Sequence, residues 1–186
     1  MSNSCSRTSE ITYKVAWTKD NEKIIEDAIA LWTEMGALQR QVDGKQRAKM
    51  LCVVAYDGDK LIGVSTIGIY PQPQVMVKAA HFRCLIRPDY RKRNVATELA
   101  LRCLQTTEEW SKENPALKVM CYTIRVETQL LFPKCRKPTW HNKMTFIGYS
   151  EQGLPVYIYW FKHAYIGEEE DGDYTFYPMR APQGGM

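Results

Sequence analysis

Hydrophobic residues recur along this chain with the two spacings that regular secondary structure produces. Short alternating or continuous apolar runs predict strands, and they fall at residues 12–17, 50–56, 60–70, 75–86, 117–124, 144–150 and 154–165. Asp57-Gly58-Asp59 separates two of these runs, which predicts a β-hairpin at this point. The sequence therefore predicts a sheet in which several neighbouring strands are antiparallel.

Apolar residues at steps of three and four predict two longer helices. The first covers residues 24–35 and has Asp20 or Asn21 available as its N-cap. The second runs over residues 93–112 and ends before an Asn-Pro pair, which disfavours continuation of a helix. A short helix is also predicted over residues 127–135, although a proline interrupts it.

The order of these elements predicts a mixed α/β fold, with a mostly antiparallel sheet flanked by helices rather than a doubly wound parallel sheet. We expect a flexible N-terminal tail over residues 1–11 and one domain over residues 12–166. A C-terminal tail over residues 167–186 is acidic at first and then rich in Pro and Gly.

Composition excludes several classes of protein. Hydrophobic residues make up 45% and charged residues 25% of the 186 positions, a balance typical of globular proteins and not of disordered chains. No apolar run is long enough to cross a membrane, and the polar N-terminus lacks the apolar stretch of a secretory signal. We therefore expect a cytoplasmic protein that does not associate with membranes.

The six cysteines predict neither disulfides nor a metal site. None forms a Cys-x-x-Cys pair, and none lies at zinc-ligand spacing from a histidine. Several lie inside apolar runs, where a reduced cysteine packs as a small hydrophobic residue. We expect reduced core thiols and no bound metal.

Charge is concentrated in a few segments. The net charge of +4 is too small to indicate a nucleic-acid partner by itself. Basic residues cluster at 87–93 and at 134–143, whereas acidic residues cluster at 168–173. The two basic clusters are therefore the candidate binding segments.

The basic segment 87–93 lies where a predicted strand gives way to a helix. A proline follows the strand, a loop with Arg91, Lys92 and Arg93 comes next, and an amphipathic helix begins directly after it. Backbone N–H groups at a helix N-terminus bind anions such as phosphate, and the small Ala96 allows a ligand to approach the backbone closely. The alternative interpretation is a solvated turn before an ordinary helix.

This segment resembles the acyl-CoA-binding motif of the GCN5-related N-acetyltransferase (GNAT) superfamily. The motif reads apolar-x-Pro-x-x-Arg/Gln-x-x-Gly-x-Gly/Ala-x-x-Leu, and the matching positions are Ile86, Pro88, Arg91, Ala96 and Leu99. Asn94 replaces the first glycine, and asparagine tolerates a positive φ better than most residues. The order of elements over residues 12–165 and the pair Gly148-Tyr149 also resemble the superfamily.

The resemblance implies that the protein binds acetyl-CoA. The pyrophosphate would lie on loop 91–97, which consists of Arg91, Lys92, Arg93, Asn94, Val95, Ala96 and Thr97. The thioester and the pantetheine would lie between the fourth and fifth strands, against the backbone of Cys84, Leu85 and Ile86. The implied reaction is direct attack of a primary amine on the thioester in a ternary complex.

The sequence departs from the family at positions that often carry an acid or a base. The family's tyrosine, which protonates the leaving thiolate, corresponds to Phe132, and its helix-start asparagine falls near Val126. The positions of the fourth strand that face the cleft are expected to be Ala80 and Phe82. His81 lies between them and is expected on the other face unless a bulge shifts the register.

Three side chains are candidates for the catalytic acid and base. His81 lies on the motif strand, Tyr122 lies on the fifth strand, and His141 lies in a segment that lengthens this chain relative to the family. A base of near-neutral pKa is suited to take the amine proton. Packing in the core is the alternative for His81 and Tyr122, and a surface position is the alternative for His141.

Segment 134–143 interleaves basic residues with Trp140 and His141. It is a candidate to bind nucleic acid by charge and stacking, to gate the substrate, or to form a basic surface loop. The expected function is therefore acyl-CoA-dependent N-acyltransfer to an amine-bearing acceptor. The alternatives are a transferase that acts on nucleic acid or tRNA and a non-catalytic CoA-binding module. The acceptor and the oligomeric state stay open.

Overall fold

The computed structural model describes residues 10–38, 43–127, 137–140 and 143–166. In these ranges the helices are α1 Glu22–Glu34, α2 Gly44–Ala48 and α3 Val95–Glu113. The strands are β1 Ile11–Val15, β2 Leu51–Asp57, β3 Lys60–Gln72, β4 Val77–Ile86, β5 Val119–Arg125, β6 Thr139–Trp140, β7 Met144–Tyr149 and β8 Pro155–Trp160. Two 3-10 turns, Pro88–Tyr90 and Pro115–Leu117, flank α3.

The described strands form one eight-stranded sheet in the order β1-β2-β3-β4-β5-β8-β7-β6. Neighbouring strands are antiparallel except β4 and β5, which are parallel and connected through α3. The predicted mixed, mostly antiparallel sheet flanked by helices is therefore confirmed. The short β6 was not expected, because it lies in the segment for which the sequence predicts no strand.

Local sequence accounts for helix α1. Asn21 is its N-cap, and the Asn21 side chain accepts a hydrogen bond from the Ile24 amide at 3.1 Å. Ala28, Leu31 and Trp32 follow at helical spacing and are buried. Of the two caps that the sequence allows, the structure therefore uses Asn21.

Strand β3 continues beyond residue 70, where the predicted run ends, and includes Pro71. Pairing of β2 with β3 ends at Leu51 opposite Thr66, so the far end of β3 pairs only with β4. Pro71 lies in this far end, opposite Lys78. A proline lacks a backbone donor and is tolerated where one edge of the strand has no partner.

Other element ends differ from the prediction by a few residues. Strand β4 begins at Val77, because the preceding residues form a turn in which the Met76 amide donates to the Gln72 carbonyl at 2.9 Å. The last strand ends at Trp160. Residues 1–9, 39–42, 128–136, 141–142 and 167–186 lie outside the described residues. They include the C-terminal tail, most of the N-terminal tail and nearly all of the short helix predicted at 127–135.

The two faces of the sheet bury separate cores. Helix α3 covers one face, where the buried residues include Ala80, Phe82, Val95, Leu99 and Tyr122. Helices α1 and α2 cover part of the other face, and the buried residues there include Ala28, Leu31, Trp32, Ala48 and Val64. The second face is the one that carries the cavities described below.

The described cysteines, Cys52, Cys84, Cys103 and Cys121, are free thiols. All except Cys84 are fully buried, so packing in the core is confirmed for those residues. Within the described ranges no helix combines the length and apolarity needed to span a bilayer. The same ranges contain no group of three or more His, Cys, Asp or Glu side chains placed to hold a metal ion.

Candidate active site

Strands β4 and β5 pair over only part of their length. Their register runs from Lys78 opposite Val119 to Phe82 opposite Ile124. Beyond that point β4 continues through residues 83–86, which pair with β3 but face no other described strand. Unpaired backbone N–H and C=O groups along a strand edge can bind an extended ligand. We call this opening the β4–β5 gap.

Loop 91–97 connects the end of β4 to the N-terminus of α3. The N-cap of α3 is Asn94, whose φ of 62° lies in the left-handed region. The predicted positive φ at the position of the motif glycine is therefore confirmed. This conformation turns the chain so that α3 begins directly after the basic residues of the loop.

The backbone amides at the start of α3 form an anion-binding surface. Among the described residues, the N–H groups of residues 94–97 have no hydrogen-bond acceptor, and the first helical bond is the one from the Glu98 amide to the Asn94 carbonyl at 3.1 Å. Val95 is buried, whereas Asn94, Ala96 and Thr97 are exposed. Free amides and the helix dipole together favour a phosphate at this position.

The basic side chains of loop 91–97 are arranged around this surface. The Arg91 Nε donates to the Ile86 carbonyl at 3.4 Å, which holds Arg91 beside the last residue of β4. The Arg93 guanidinium lies 4.9 Å from the centre of the Tyr90 ring. Lys92 is exposed. The loop therefore offers three cations next to the free amides.

Arg87 anchors the loop to the body of the protein. Its Nε donates to the Leu61 carbonyl at 2.8 Å, and its two terminal nitrogens bind both carboxylate oxygens of Glu34 at the end of α1. This bidentate bond lowers the pKa of Glu34, since the hydrogen bond stabilises the carboxylate. The loop is thus fixed at its start before any ligand binds.

Two cavities open on the sheet face opposite α3. The first, which we call the Arg47 cavity, has a volume of about 370 Å³ and extends from α2 to the middle of β4. The second, the Gln72 cavity, has about 380 Å³ and extends to the turn between β7 and β8. Tyr70, His81 and Arg83 line both cavities. His81 therefore lies where the two meet.

The structure confirms that Ala80 and Phe82 share one face of β4 and that His81 lies on the other, but it puts the two cavities on the His81 side. Ala80 and Phe82, expected to face the cleft, are buried under α3, where the rings of Phe82 and Tyr122 have centroids 5.8 Å apart. His81 points to the opposite face, as the alternation of a strand requires. The cavities open on that opposite face and His81 lines both, whereas Phe82 lines only the Gln72 cavity.

Both ring nitrogens of His81 have hydrogen-bond partners. The Nε2 atom lies 3.0 Å from the Tyr70 carbonyl oxygen, which can only accept, so we assign the proton to Nε2. The Nδ1 atom then accepts from the Thr123 hydroxyl at 2.8 Å. The Tyr70 ring stacks on the imidazole with centroids 3.5 Å apart. Hydroxyl, imidazole and carbonyl thus form a chain across β5, β4 and β3.

The surroundings of His81 keep its imidazole neutral. The pKa of His81 is lowered to about 4, mainly by burial and in smaller part by the positive charges of Arg125 and Arg83. The bond to the Tyr70 carbonyl acts in the opposite direction but does not compensate. At neutral pH His81 is therefore available as a proton acceptor, though a weak one.

Tyr122 does not reach either cavity. Its side chain is 1% exposed and lies under α3, where its hydroxyl donates to the Ala100 carbonyl at 3.0 Å. Burial raises the pKa of Tyr122 well above its ordinary value. The structure therefore places this candidate in the core, which is the alternative that the sequence left open.

Cys84, Leu85 and Ile86 all lie on the part of β4 that faces the β4–β5 gap. Cys84 is an exposed residue, yet its thiol lies against the protein, and this desolvation raises the pKa of Cys84 to about 12. Leu85 packs against the core beneath α1, and Ile86 packs against the core beneath α3. These side chains anchor the strand and leave its backbone edge to the gap.

The segment 134–143 is described only in part. Phe132, His141 and residues 134–136 lie outside the described residues. Trp140 lies in β6, where its ring packs on Tyr157 with centroids 5.2 Å apart, and the Tyr157 hydroxyl donates to the Lys137 carbonyl at 3.0 Å. The one described aromatic residue of this segment is thus a packing residue, which weakens the idea of stacking on nucleic-acid bases.

Sequence reasoning missed several residues that surround His81. Thr123, Tyr70 and Arg47 come from three separate elements, β5, β3 and α2. Arg83 follows His81 by two positions and therefore shares its face, a signal that the strand alternation contains. Thr123 and Tyr70 become neighbours of His81 only when the strands are paired in register, and Arg47 lines the same cavity from helix α2.

Comparison with known proteins agrees with this geometry. A model of the acetyltransferase (GNAT) family matches residues 13–129. No curated protein matches the chain. A solved structure of a bacterial toxin is similar, with 10% identity, a TM-score of 0.56, and coverage of 83% of this chain and 93% of that one.

Two acetyltransferase structures are also similar. The putative acetyltransferase yncA from Salmonella typhimurium, solved with its cofactor acetyl-CoA, has 12% identity, a TM-score of 0.52, and coverage of 86% of this chain and 98% of that one. A GNAT-family acetyltransferase from Streptococcus pneumoniae has 14% identity, a TM-score of 0.50, and coverage of 81% and 99%. At these identities the likeness is one of fold.

Proposed function

This chain belongs to the acetyltransferase (GNAT) family, whose model it matches over residues 13–129, and we propose that it transfers an acetyl group from acetyl-CoA to a primary amine. The observation that carries the proposal is the β4–β5 gap, which opens beside the free amides of residues 94–97. When bound, acetyl-CoA supplies a thioester whose carbonyl carbon an amine can attack directly. The products are an N-acetylated amine and a free thiol.

The residues present fit this ligand at both of its polar parts. The free amides of residues 94–97 and the cations of loop 91–97 suit a pyrophosphate, because both favour negative charge. The unpaired edge of residues 83–86 suits the amides of an extended pantetheine arm, because it offers backbone donors and acceptors in a row. A backbone N–H near Ile86 would also stabilise the oxyanion of the tetrahedral intermediate.

His81 is suited to remove a proton after attack rather than before it. With a pKa of about 4, it cannot deprotonate a free alkylammonium ion at a useful rate. An amine nitrogen becomes far more acidic once it is bonded to the thioester carbon, and a weak base then suffices. We propose that Thr123 passes its hydroxyl proton to Nδ1 as it accepts the proton from the substrate nitrogen. The Tyr70 carbonyl holds the ring in the required tautomer.

Binding of acetyl-CoA tests the first step. We expect titration calorimetry to show micromolar binding, and Arg91→Glu to weaken it about 30-fold, since the change removes a cation and adds an anion beside a pyrophosphate. Lys112→Glu makes the same charge change at the other end of α3 and serves as the control. Absence of binding below millimolar concentration, or equal losses in both variants, would contradict the proposal.

Turnover tests the second step. Release of free thiol from acetyl-CoA is measured with a panel of primary amines, and we expect amine-dependent release that stops when the amine is omitted. A protein that binds acetyl-CoA but releases no thiol with any amine or with tRNA would instead be a non-catalytic binding module. Release with tRNA alone would favour the nucleic-acid alternative.

A further inference from the structure

The Arg47 cavity carries positive charge that the described residues do not balance. We infer, on the basis of the proposed function, that the amine acceptor is a small molecule bearing a carboxylate, which binds between Arg47 and Arg83 in this cavity. Among the described residues that line the cavity, these two are cationic and none is acidic.

Arg47 has only part of its hydrogen-bonding capacity satisfied. Its guanidinium lies 4.5 Å from the centre of the Trp32 ring, and one terminal nitrogen donates to the Ala37 carbonyl at 2.6 Å. No carboxylate of the described residues forms an ion pair with it. Burial lowers the pKa of Arg47, and the nearby charge of Arg83 lowers it further. A half-buried guanidinium without an anion is a site that a carboxylate would stabilise.

Arg83 shares its only acidic partner among the described residues. Its Nε lies 3.6 Å from a carboxylate oxygen of Glu127, and the same oxygen lies 2.6 Å from a terminal nitrogen of Arg125. One carboxylate therefore serves two guanidinium groups. The Arg83 side chain is 55% exposed, so it can reorient toward a ligand without losing a buried bond.

The position of the cavity connects the carboxylate to the chemistry. Arg83 is the first residue of β4 beyond its pairing with β5, and it lines the Arg47 cavity together with His81. A carboxylate held by Arg47 and Arg83 therefore directs the amine end of the molecule past His81, toward Thr123 in the adjoining Gln72 cavity and the β4–β5 gap. A volume of about 370 Å³ suits a small molecule of amino-acid size. Met50 and Tyr70 supply an apolar wall for its carbon chain.

Matched acceptors test the inference. Glycine, 4-aminobutyrate and leucine are compared with glycinamide, 4-aminobutanamide and leucinamide, and rates of thiol release are divided by the fraction of free amine at the assay pH. We expect kcat/KM to be at least tenfold higher for the acids. 2-Aminoethyl phosphate replaces the carboxylate with a tetrahedral anion, and a kcat/KM above that of 4-aminobutyrate would overturn the assignment to a carboxylate.

Variants assign the effect to the two arginines. Arg47→Gln and Arg83→Gln are expected to lower the ratio of kcat/KM for each acid to kcat/KM for its amide about tenfold. Lys45→Gln removes one charge from the same helix, α2, and is expected to leave this ratio unchanged, because Lys45 does not line the cavity. Thermal unfolding shows whether each variant is folded. If loss of the Arg47–Trp32 contact unfolds Arg47→Gln, the test rests on Arg83→Gln, because the Arg83 side chain is exposed.

A binding measurement separates this inference from the proposed function. N-acetyl-4-aminobutyrate carries the carboxylate without a thioester, and calorimetry measures its binding in the absence of CoA. Binding to the wild type that weakens about tenfold in Arg83→Gln supports the carboxylate site even if no amine is acetylated. The inference is overturned if amides react as well as acids, or if, without turnover, this compound fails to bind or binds both proteins equally.

Discussion

The two halves of the candidate site are built in opposite ways. Loop 91–97 and the start of α3 form a binding surface from consecutive residues, and its donors are backbone amides. The cavities around His81 are formed by side chains from β3, β4, β5 and α2. The first half depends on one local backbone conformation, whereas the second depends on the register of three strands. Damage to the two halves should therefore have different consequences for binding, rate and stability.

The largest expected effect is a pH dependence that originates in the acceptor and not in His81. With the pKa of His81 near 4, the imidazole stays unprotonated from pH 6 upward. An alkylamine has a pKa of about 10, so its reactive fraction rises tenfold per pH unit. We expect log kcat/KM to rise with a slope of one from pH 6 to 9, roughly a thousandfold in total.

A normal histidine base would give a different curve. If His81 titrated near its ordinary value of about 6.5, the slope would be two below that pH and one above it. Measured rates over closely spaced pH values distinguish the curves. A change of slope from two to one near pH 6.5 would contradict the depressed pKa of His81.

The next effect in size concerns the bond between Thr123 and His81. Thr123→Val removes the hydroxyl that lies 2.8 Å from Nδ1 while preserving the shape of the side chain. We expect kcat to fall roughly tenfold and the Kd of acetyl-CoA to stay unchanged, because the residue acts on proton transfer and not on the cofactor half. Thr12→Val, an exposed threonine on β1, is the control.

A double-mutant cycle gives the stricter test of that bond. If the two residues act as one unit, Thr123→Val has no further effect on kcat in a His81→Gln background. An undiminished tenfold loss in that background would mean that Thr123 acts independently. If Thr123→Val weakened acetyl-CoA binding as much as it lowered kcat, the two halves of the site would not be separate.

The smallest expected effect lies in the backbone of the cofactor half. Asn94 has a φ of 62°, so Asn94→Ala should lower the free energy of unfolding by about 1 kcal/mol. Asn94→Gly should change it by less than about 0.5 kcal/mol and should keep the affinity for acetyl-CoA, because glycine adopts this conformation freely. Urea denaturation measures both. If Asn94→Ala were as stable as the wild type, the positive φ at this position would not be strained for alanine.

The cofactor half was predictable from the sequence because its determinants are contiguous. Ile86, Pro88, Arg91, Ala96 and Leu99 lie within one short segment, and each has a local role in ending a strand, turning the chain or starting a helix. The left-handed conformation of Asn94 followed from the small set of residues that adopt it. The mixed sheet was predictable for a similar reason, since its hairpins join neighbouring segments.

The acceptor half was not predictable, because alternation along a strand separates two faces without telling which one a helix covers. Because of that ambiguity, the sequence predicts that Ala80 and Phe82 face the cleft and that His81 lies on the other face of the strand. Of the partners of His81, Tyr70 lies 11 residues before it across a hairpin and Thr123 lies 42 residues after it, and only the strand register brings all three together. No local signal marks such residues before the sheet is assembled.

The ion pair between Glu127 and Arg83 has a consequence for how the β4–β5 gap opens. Glu127 follows the end of β5, and Arg83 is the first residue of β4 beyond its pairing with β5, so this ion pair spans the gap where the backbone bonds between β4 and β5 have stopped. Both side chains are more than half exposed, and an ion pair of that kind contributes about 1 kcal/mol or less. A continued ladder would have to break several hydrogen bonds to admit a ligand. Here only the solvent-screened ion pair between Arg83 and Glu127 has to break, so ligand entry requires no unfolding of the sheet.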